Sequence, residues 1–447
     1  MDEFIYLDLA PLLTALFAAA SAAVLGSILL LRRSSLMGDA ISHSVLPGIV
    51  IAFLVSGSRS ALPVFFGALC AGVLAAVLIE LVRRLGRLSV DTSMGVVFSI
   101  FFALGVLLIE VASGRSVDLD ADCLLHGQLE TLIWIPRSRE DVFSWSGLLT
   151  SLPLPVYNSA AVFLLVIFVV SVFYKEIKLF CFDQEFAHLM GMRVSLAYYL
   201  LMILVAFAVV ASFQAVGSIL VIAMIICPAA SARLWTDRFS RQIFFALLFS
   251  VLSVLVGYAA ASWVPAMLGY QYSLNAAGMI ALTSGLLLTL SVLFAPQYGV
   301  MGKILRARRL VLQVTMEDVI GLLYRLEEMT AAGVAEVGRG AAAADLRAVL
   351  PGVSNLPAAL ELGLSLGLLV CQAGHYKLTE AGRASAATLL RSHRLWERYM
   401  VDIMGLSPDH VHVTATALEH FTSPDLVSAL SEGQDFPGED PHGREIP

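Results

Sequence analysis

The chain has 447 residues, 58% of them hydrophobic and 14% charged, whereas a soluble globular protein carries about 45–50% apolar and about 25% charged residues. That balance excludes a purely soluble enzyme; in residues 303–447 the 18 Asp/Glu against 13 Lys/Arg argue against tight binding to phosphate backbones, which needs clustered Lys and Arg. Charge is unevenly spread: residues 1–302 hold 15 Lys/Arg and 17 Asp/Glu, while residues 303–447 hold 13 and 18 together with six of the nine histidines.

A membrane half over 1–302 and an acidic cytosolic domain over 303–447 are therefore expected. Residues 1–8 lack a positive stretch and lead into a full-length apolar run, so the first span reads as retained and not as a cleavable signal. Apolar runs predict nine transmembrane helices, at 10–31, 36–57, 61–82, 93–112, 159–174, 196–212, 216–234, 243–264 and 275–296, each close to the length that crosses about 30 Å of hydrocarbon. Basic residues gather after the odd-numbered spans, at Arg32/Arg33, Arg83/Arg84/Arg87, Lys175/Lys178, Arg233/Arg238/Arg241 and Lys303/Arg306/Arg308/Arg309. The positive-inside rule then puts the N-terminus outside and the tail in the cytoplasm. The five cysteines form no CxxC pair, which indicates neither a disulfide framework nor a thiolate metal site.

Within the second predicted span, Ser35-Leu-Met-Gly-Asp-Ala-Ile-Ser-His-Ser-Val-Leu-Pro-Gly48 carries Asp39 and His43. The i, i+4 spacing puts both on one helical face, about one turn apart. Ionisable residues inside a membrane are costly and mark ion paths. One hard oxygen and one borderline nitrogen suit Mn²⁺, Fe²⁺ or Zn²⁺ better than an alkali ion; the alternative is an Asp–His hydrogen bond that pins two helices. Two ligands do not close a site, so others come from neighbouring spans, a second subunit or water, with Asp91 and Glu110 candidates by position. Pro47 and Gly48 can break the helix beside the pair. The 113–158 segment, with Asp118, Asp120 and Asp122, is too long for a turn and reads as an outer vestibule, a docking surface or an insertion. Between the fifth and sixth spans, Asp183 to Gly191 reads as a short amphipathic helix with Asp183 as N-cap.

The 35–48 string, Phe182-Asp-Gln-Glu-Phe-Ala187 and Val216-Gly-Ser-Ile-Leu-Val-Ile-Ala-Met-Ile-Ile-Cys-Pro-Ala-Ala-Ser-Ala-Arg-Leu-Trp-Thr-Asp-Arg238 together resemble the permease subunits of bacterial zinc/manganese/iron ABC importers of the ABC-3 type, over roughly 10–296. The resemblance implies a permease of the inner membrane that pairs with a second copy or paralogue within the lipid. It would receive metal from an extracytoplasmic metal-binding protein and couple to a cytoplasmic ABC ATPase subunit. It also implies that Asp39 and His43 line the metal path, and that Phe182, Asp183, Glu185, Phe186 and Ala187 form the helix that fits the ATPase. The extended 113–158 segment departs from the family. No GxxxxGK[ST] sequence occurs, so no P-loop ATP site is expected in this chain.

In the tail, Thr315 to Leu350 and Val353 to Lys377 read as helices that lead into a short hairpin ending at Leu378-Thr-Glu-Ala-Gly-Arg383, the order of a winged helix. His393 and Glu397 are i, i+4 on one helix, and His412, Thr416, Glu419 and His420 share one face of the next. Facing imidazoles and carboxylates suit a divalent metal; a salt-bridged helix pair is the alternative. The stretch 310–432 resembles the iron- and manganese-dependent repressors of the diphtheria-toxin-repressor type. That resemblance implies a metal site on His393, Glu397, His412, Glu419 and His420, with Asp318 contributing from the first helix. Thr416 stands where the family has Cys or Glu, and Gly321 where its manganese-type members have Glu. The candidate recognition helix, 354–367, has no Lys or Arg and carries Pro357 and Glu361. DNA contacts rely on basic donors, so DNA is not an expected partner.

The sequence thus predicts an all-α polytopic membrane domain joined to a winged-helix and helical metal-binding domain. The expected function is the permease subunit of an ATP-driven importer of Mn, Zn or Fe with a tethered metal sensor and no catalytic site of its own. Two rivals are a membrane-tethered repressor released by proteolysis and an ATP-independent carrier.

Overall fold

A computed structural model describes residues 7–56, 61–113, 129, 132, 134, 152–269, 274–331, 340–350, 355–432 and 438–447, and the chain divides into two compact units, Met1–Gly302 and Lys303–Pro447. The first unit is helical: α1 Leu9–Leu31, α2 Met37–Ser44, α3 Leu46–Ser56, α4 Ala61–Gly86, α5 Val90–Ser113, α6 Leu154–Val172, α7 Tyr174–Phe182, α8 Gln184–Leu189, α9 Val194–Val216, α10 Ser218–Trp235, α11 Phe239–Met267 and α12 Ala276–Phe294. Each of the nine predicted spans falls on one or two of these helices. Among the described residues, eight spans are long and apolar enough to cross a membrane, counting α2 and α3 as one, Met37–Ser56; the apolar part of α10, Ile219–Trp235, is shorter than the rest.

The core sits around α1, which is buried from Ala10 to Leu29 almost without interruption and packs on α6, α10 and α11. Its alanine run lets neighbouring backbones approach, the usual solution where lipid supplies no hydrophobic drive between helices. At Gly26 a side chain would collide with the backbone carbonyl of Ile225 on α10. Gly48 on α3 and Gly67 on α4 face one another so closely that a Cβ on either would meet the other's carbonyl oxygen.

The second predicted span is divided at Val45, whose αR backbone joins α2 to α3. The discontinuity lies two residues after His43, and Pro47 brings no N–H for the His43 carbonyl. Of the 113–158 segment, the stretches 114–128 and 135–151 lie outside the described residues, including Asp118, Asp120 and Asp122.

The second unit holds most of α13 Val300–Ala331, then β1 Ala341–Ala342, α14 Ala343–Val349, α15 Leu356–Ser365, β2 Leu369–Gln372, β3 His375–Leu378, α16 Glu380–Asp402, α17 Pro408–Glu419 and α18 Pro424–Glu432. The helix expected from Thr315 to Leu350 is therefore two, with a strand between, and the 353–377 helix is α15 followed by a hairpin. The strands form one antiparallel sheet in the order β1-β3-β2, with Ala341 paired to Tyr376 and Leu369 to Leu378. Helix, strand, two helices and a β-hairpin give the winged-helix order. Pro357 sits in the first turn of α15, where its missing N–H costs nothing. Met316, Val319, Ile320 and Leu323 of α13 pack with Leu346, Leu360, Leu369 and Leu378 into the core of this unit.

Candidate metal centres and coupling segment

Asp39 and His43 lie one turn apart on α2, with Nε2 of His43 3.4 Å from Oδ1 of Asp39. The imidazole packs against two rings of α5, Phe98 at 5.5 Å and Phe102 at 6.2 Å between centroids. Those rings fix its orientation and exclude water on one side. On the other side the pair is open: 41% of the Asp39 side chain and 25% of His43 are exposed. Neither Asp91 nor Glu110 joins them; among the described residues, every group of three or more His, Cys, Asp or Glu able to share an ion lies in the tail.

The segment expected to couple to an ATPase forms the short capped helix its sequence predicts. Asp183 caps α8, its Oδ1 accepting from the Phe186 N–H at 2.9 Å, and α8 is the six-residue helix Gln184–Leu189. Phe182 and Phe186 are about half exposed and Glu185 is exposed, while Ala187 is buried. Apolar rings and one carboxylate therefore face outward from a capped, preformed turn.

In the tail, His393 and Glu397 rise from the buried face of α16, and His412 reaches them from α17. Nε2 of His393, Oε1 of Glu397 and Nδ1 of His412 form a triangle with sides of 3.1, 3.1 and 2.9 Å. Linear two-centre hydrogen bonds cannot satisfy all three edges, whereas a single divalent cation could take all three atoms as ligands. The triangle opens on a cavity of about 150 Å³ whose wall includes Arg325, Asp440, His442 and Arg444.

His420, at the C-cap of α17, belongs to a second cluster. Its Nδ1 meets Glu317 Oε2 at 2.7 Å and its Nε2 meets Asp318 Oδ1 at 3.1 Å, with Glu419 Oε1 3.7 Å from Nε2. The four α17 residues expected on one face thus separate: His412 joins the first cluster, His420 the second, and Glu419 lies between. Thr416 enters neither, its hydroxyl donating to the His412 carbonyl. Sequence reasoning missed Glu317; its place next to Asp318 on a helix expected to contribute a ligand was the available signal.

The tail clusters are electrostatically tense without a metal. Burial pushes the His420 imidazole down, but the Asp318 and Glu317 carboxylates outweigh it and raise the group to about 9. Burial likewise opposes the charged form of Glu397, yet the His393 and His412 hydrogen bonds hold it down at about 2. Against its burial, the neighbouring Glu397 and Glu419 carboxylates raise His393 as well. The residues fit a divalent cation. Nδ1 of His393 and Oε2 of Glu419 are buried 2.6 Å apart, yet neither has a hydrogen bond of acceptable geometry. Two lone-pair donors crowded in this way suit a shared positive charge.

Eight apolar spans among the described residues, an acid–imidazole pair on one of them and a capped short helix between two others define a polytopic helical permease, and its second unit adds a fused domain with two acid–imidazole clusters. The chain belongs to the ABC 3 transport family, which matches residues 5–295. Residues 379–447 match the metal binding and dimerisation domain of the iron dependent repressors, beginning at the N-cap of α16.

The membrane half is 36% identical over 293 residues to the manganese transport system membrane protein MntD of Bacillus subtilis, covering 66% of this chain and 94% of that protein. The chain is 33% identical over 314 residues to the zinc transport system membrane protein TroD of Treponema pallidum, covering 70% of this chain and 80% of that protein. Among solved structures it is similar to PsaBC from Streptococcus pneumoniae in complex with Fab, with 30% identity, a TM-score of 0.50, and coverage of 65% of this chain and 92% of that one.

Proposed function

We propose that this chain is the membrane subunit of an ATP-driven importer for Mn²⁺, with Zn²⁺ or Fe²⁺ as the alternative cargo, and that its cytosolic tail senses the same class of ion. The observation that carries the transport reading is the half-open Asp39–His43 pair. A carboxylate this exposed on a membrane-spanning helix cannot face hydrocarbon cheaply. A second permease copy or paralogue covers it and completes the path. Manganese and zinc are the cargoes named in relatives of the membrane half, and the oxygen–nitrogen donor pair suits both. Membership of an ABC family replaces the ATP-independent carrier. Hydrolysis then belongs to a separate ATPase that receives α8 through Phe182, Asp183, Glu185, Phe186 and Ala187, while an extracytoplasmic metal-binding protein delivers cargo. With the basic loop ends inside, the N-terminus lies outside and the tail lies in the cytoplasm, beneath the inner membrane.

The tail would hold metal on His393, Glu397 and His412 and on Asp318, Glu419 and His420. There the ion would replace protons and draw α13, α16 and α17 together. Release of the tail as a DNA-binding repressor is not favoured, because α15 offers no Lys or Arg to a phosphate or base edge. The test is uptake of radioactive manganese into proteoliposomes containing the full chain and its ATPase, with internal Mn²⁺ varied. Uptake by the wild type falls as internal metal rises, and the double variant His393→Ala/His420→Ala loses that response. An unaltered response in the double variant would sink the sensor reading; no uptake by the wild type would sink the transport reading.

A further inference from the structure

The two regions assigned to energy input and metal passage are separated by about 140 residues in sequence but are joined by one side chain. Arg32, the C-cap of α1, donates from Nη1 to the Phe180 carbonyl of α7 at 3.1 Å. Its guanidinium carbon lies 3.8 Å from the centroid of the Phe180 ring and 5.8 Å from that of Tyr198 on α9. A guanidinium over an aromatic face is attracted by the ring quadrupole, and more so when partly desolvated. Phe180 is buried at 2% exposure, so the contact is enclosed.

Each side of this contact is rigidly continued. Toward the cytoplasmic helix, the Asp183 N–H bonds to the Leu179 carbonyl at 2.9 Å while the Asp183 carboxylate caps α8. Displacement of α8 therefore moves Phe180. Toward the metal pair, Arg33 in left-handed conformation (φ 54°) turns the chain. The Ser34 N–H bonds back to Leu29 at 2.9 Å, and the Met37 N–H to Ser34 at 3.1 Å. Five residues after Arg32, α2 begins. Both α1 and α2 also approach the same residue of α10: a Cβ at Gly26 would run into the Ile225 backbone carbonyl and one at Gly38 into its side chain. α7 is also anchored on α11, where Tyr174 and Phe182 pack against Phe239 with ring centroids 5.4 and 6.4 Å apart.

We propose that Arg32 is the positioning residue that transmits movement of α8 to the helix bearing Asp39 and His43. The proposal rests on the permease reading above. Nε of Arg32 is buried without a hydrogen-bond partner, so the guanidinium can take another acceptor when α7 shifts without first giving one up. A single side chain that holds a carbonyl and a ring on one helix, and terminates another, converts a docking motion into a change at the helix end.

The test uses the full chain with its ATPase subunit in proteoliposomes, reading manganese delivered per ATP hydrolysed. Arg32→Gln keeps polar donors but loses the charge over the Phe180 ring. It is expected to retain the ATPase in a pull-down and to hydrolyse ATP within twofold of wild type, while manganese per ATP falls at least tenfold. Arg32→Lys, which restores the charge, recovers a substantial part of that ratio. Phe180→Leu, which spares the carbonyl, lowers it in the same direction as Arg32→Gln. An unchanged ratio in Arg32→Gln, or loss of the ATPase from the complex, overturns the proposal. Absence of manganese uptake by the wild type overturns the permease reading itself, and this result is read before any variant is made.

Discussion

Nδ1 of His393 and Oε2 of Glu419 lie 2.6 Å apart in the interior of the tail, and this contact makes one carboxylate common to the two candidate metal clusters. The other oxygen of Glu419 faces His420 at 3.7 Å. Whatever binds the first cluster therefore changes the charge presented to the second.

Glu419→Gln is accordingly expected to weaken manganese binding at both clusters, by about 10–100-fold at each if the carboxylate serves both ions. Asp318→Asn weakens one cluster alone. Calorimetric titration of the full chain in detergent with Mn²⁺ separates the two outcomes, and a Glu419→Gln variant that loses only one binding event would contradict a shared role.

The raised His420 and lowered Glu397 set opposite limits on the stability of the metal-free tail. His420 titrates near 6.5 when unfolded and at about 9 in the fold. Its charged pairing with Asp318 and Glu317 thus contributes fully below about pH 6.5 and is lost as pH rises through about 9. Glu397 falls from 4.5 to about 2, so its contribution is present above about pH 4.5 and is lost as pH falls toward about 2. Thermal denaturation followed at Trp396 is expected to show highest stability between these limits. Manganese must displace the His420 proton, so affinity at that cluster rises by up to about tenfold per pH unit until about pH 9. An affinity independent of pH between 7 and 9 would contradict this reading.

Asp39→Ala removes the oxygen donor of the intramembrane pair and is expected to cut manganese uptake more than tenfold without displacing the ATPase. His43→Phe preserves the ring packing on Phe98 and Phe102 but removes the nitrogen, and is expected to have a similar effect. Proteoliposome uptake at saturating ATP checks both, and full uptake in Asp39→Ala would refute the assigned path.

Asp183→Ala deletes the N-cap of a helix only six residues long, at a cost of about 1 kcal/mol. Because α8 has so little else to hold it, the expected result is weaker retention of the ATPase in a pull-down. Phe186→Ala, which leaves the cap intact, is expected to lower retention through lost contact area alone. Normal retention in both variants would move the docking surface elsewhere.

Gly26→Val would push a branched side chain into the Ile225 carbonyl. Backbone on both sides leaves nothing flexible to yield, so destabilisation of at least about 1–3 kcal/mol is expected, seen as a lower yield of monodisperse protein in detergent. Gly285→Ala on α12, where nothing lies within 4 Å, is the matched control.

Much of the molecule was legible in local patterns. Apolar runs located the spans, and the charge contrast near residue 302 coincides with the division into two units. The i, i+4 spacing of Asp39 with His43 and of His393 with Glu397 survived folding, because helical periodicity is encoded along the chain. The Asp183 cap was readable for the same reason. What the sequence could not determine was how α17 distributes its ligands, since His412, Glu419 and His420 are near neighbours that turn toward different helices. Only packing against α16 and α13 separates them, recruiting Glu317 and leaving Thr416 aside. The Arg32–Phe180 contact spans 148 positions and had no local signature; it exists because α1, α7 and α9 converge at one end of the bundle, and that convergence is a property of the tertiary structure.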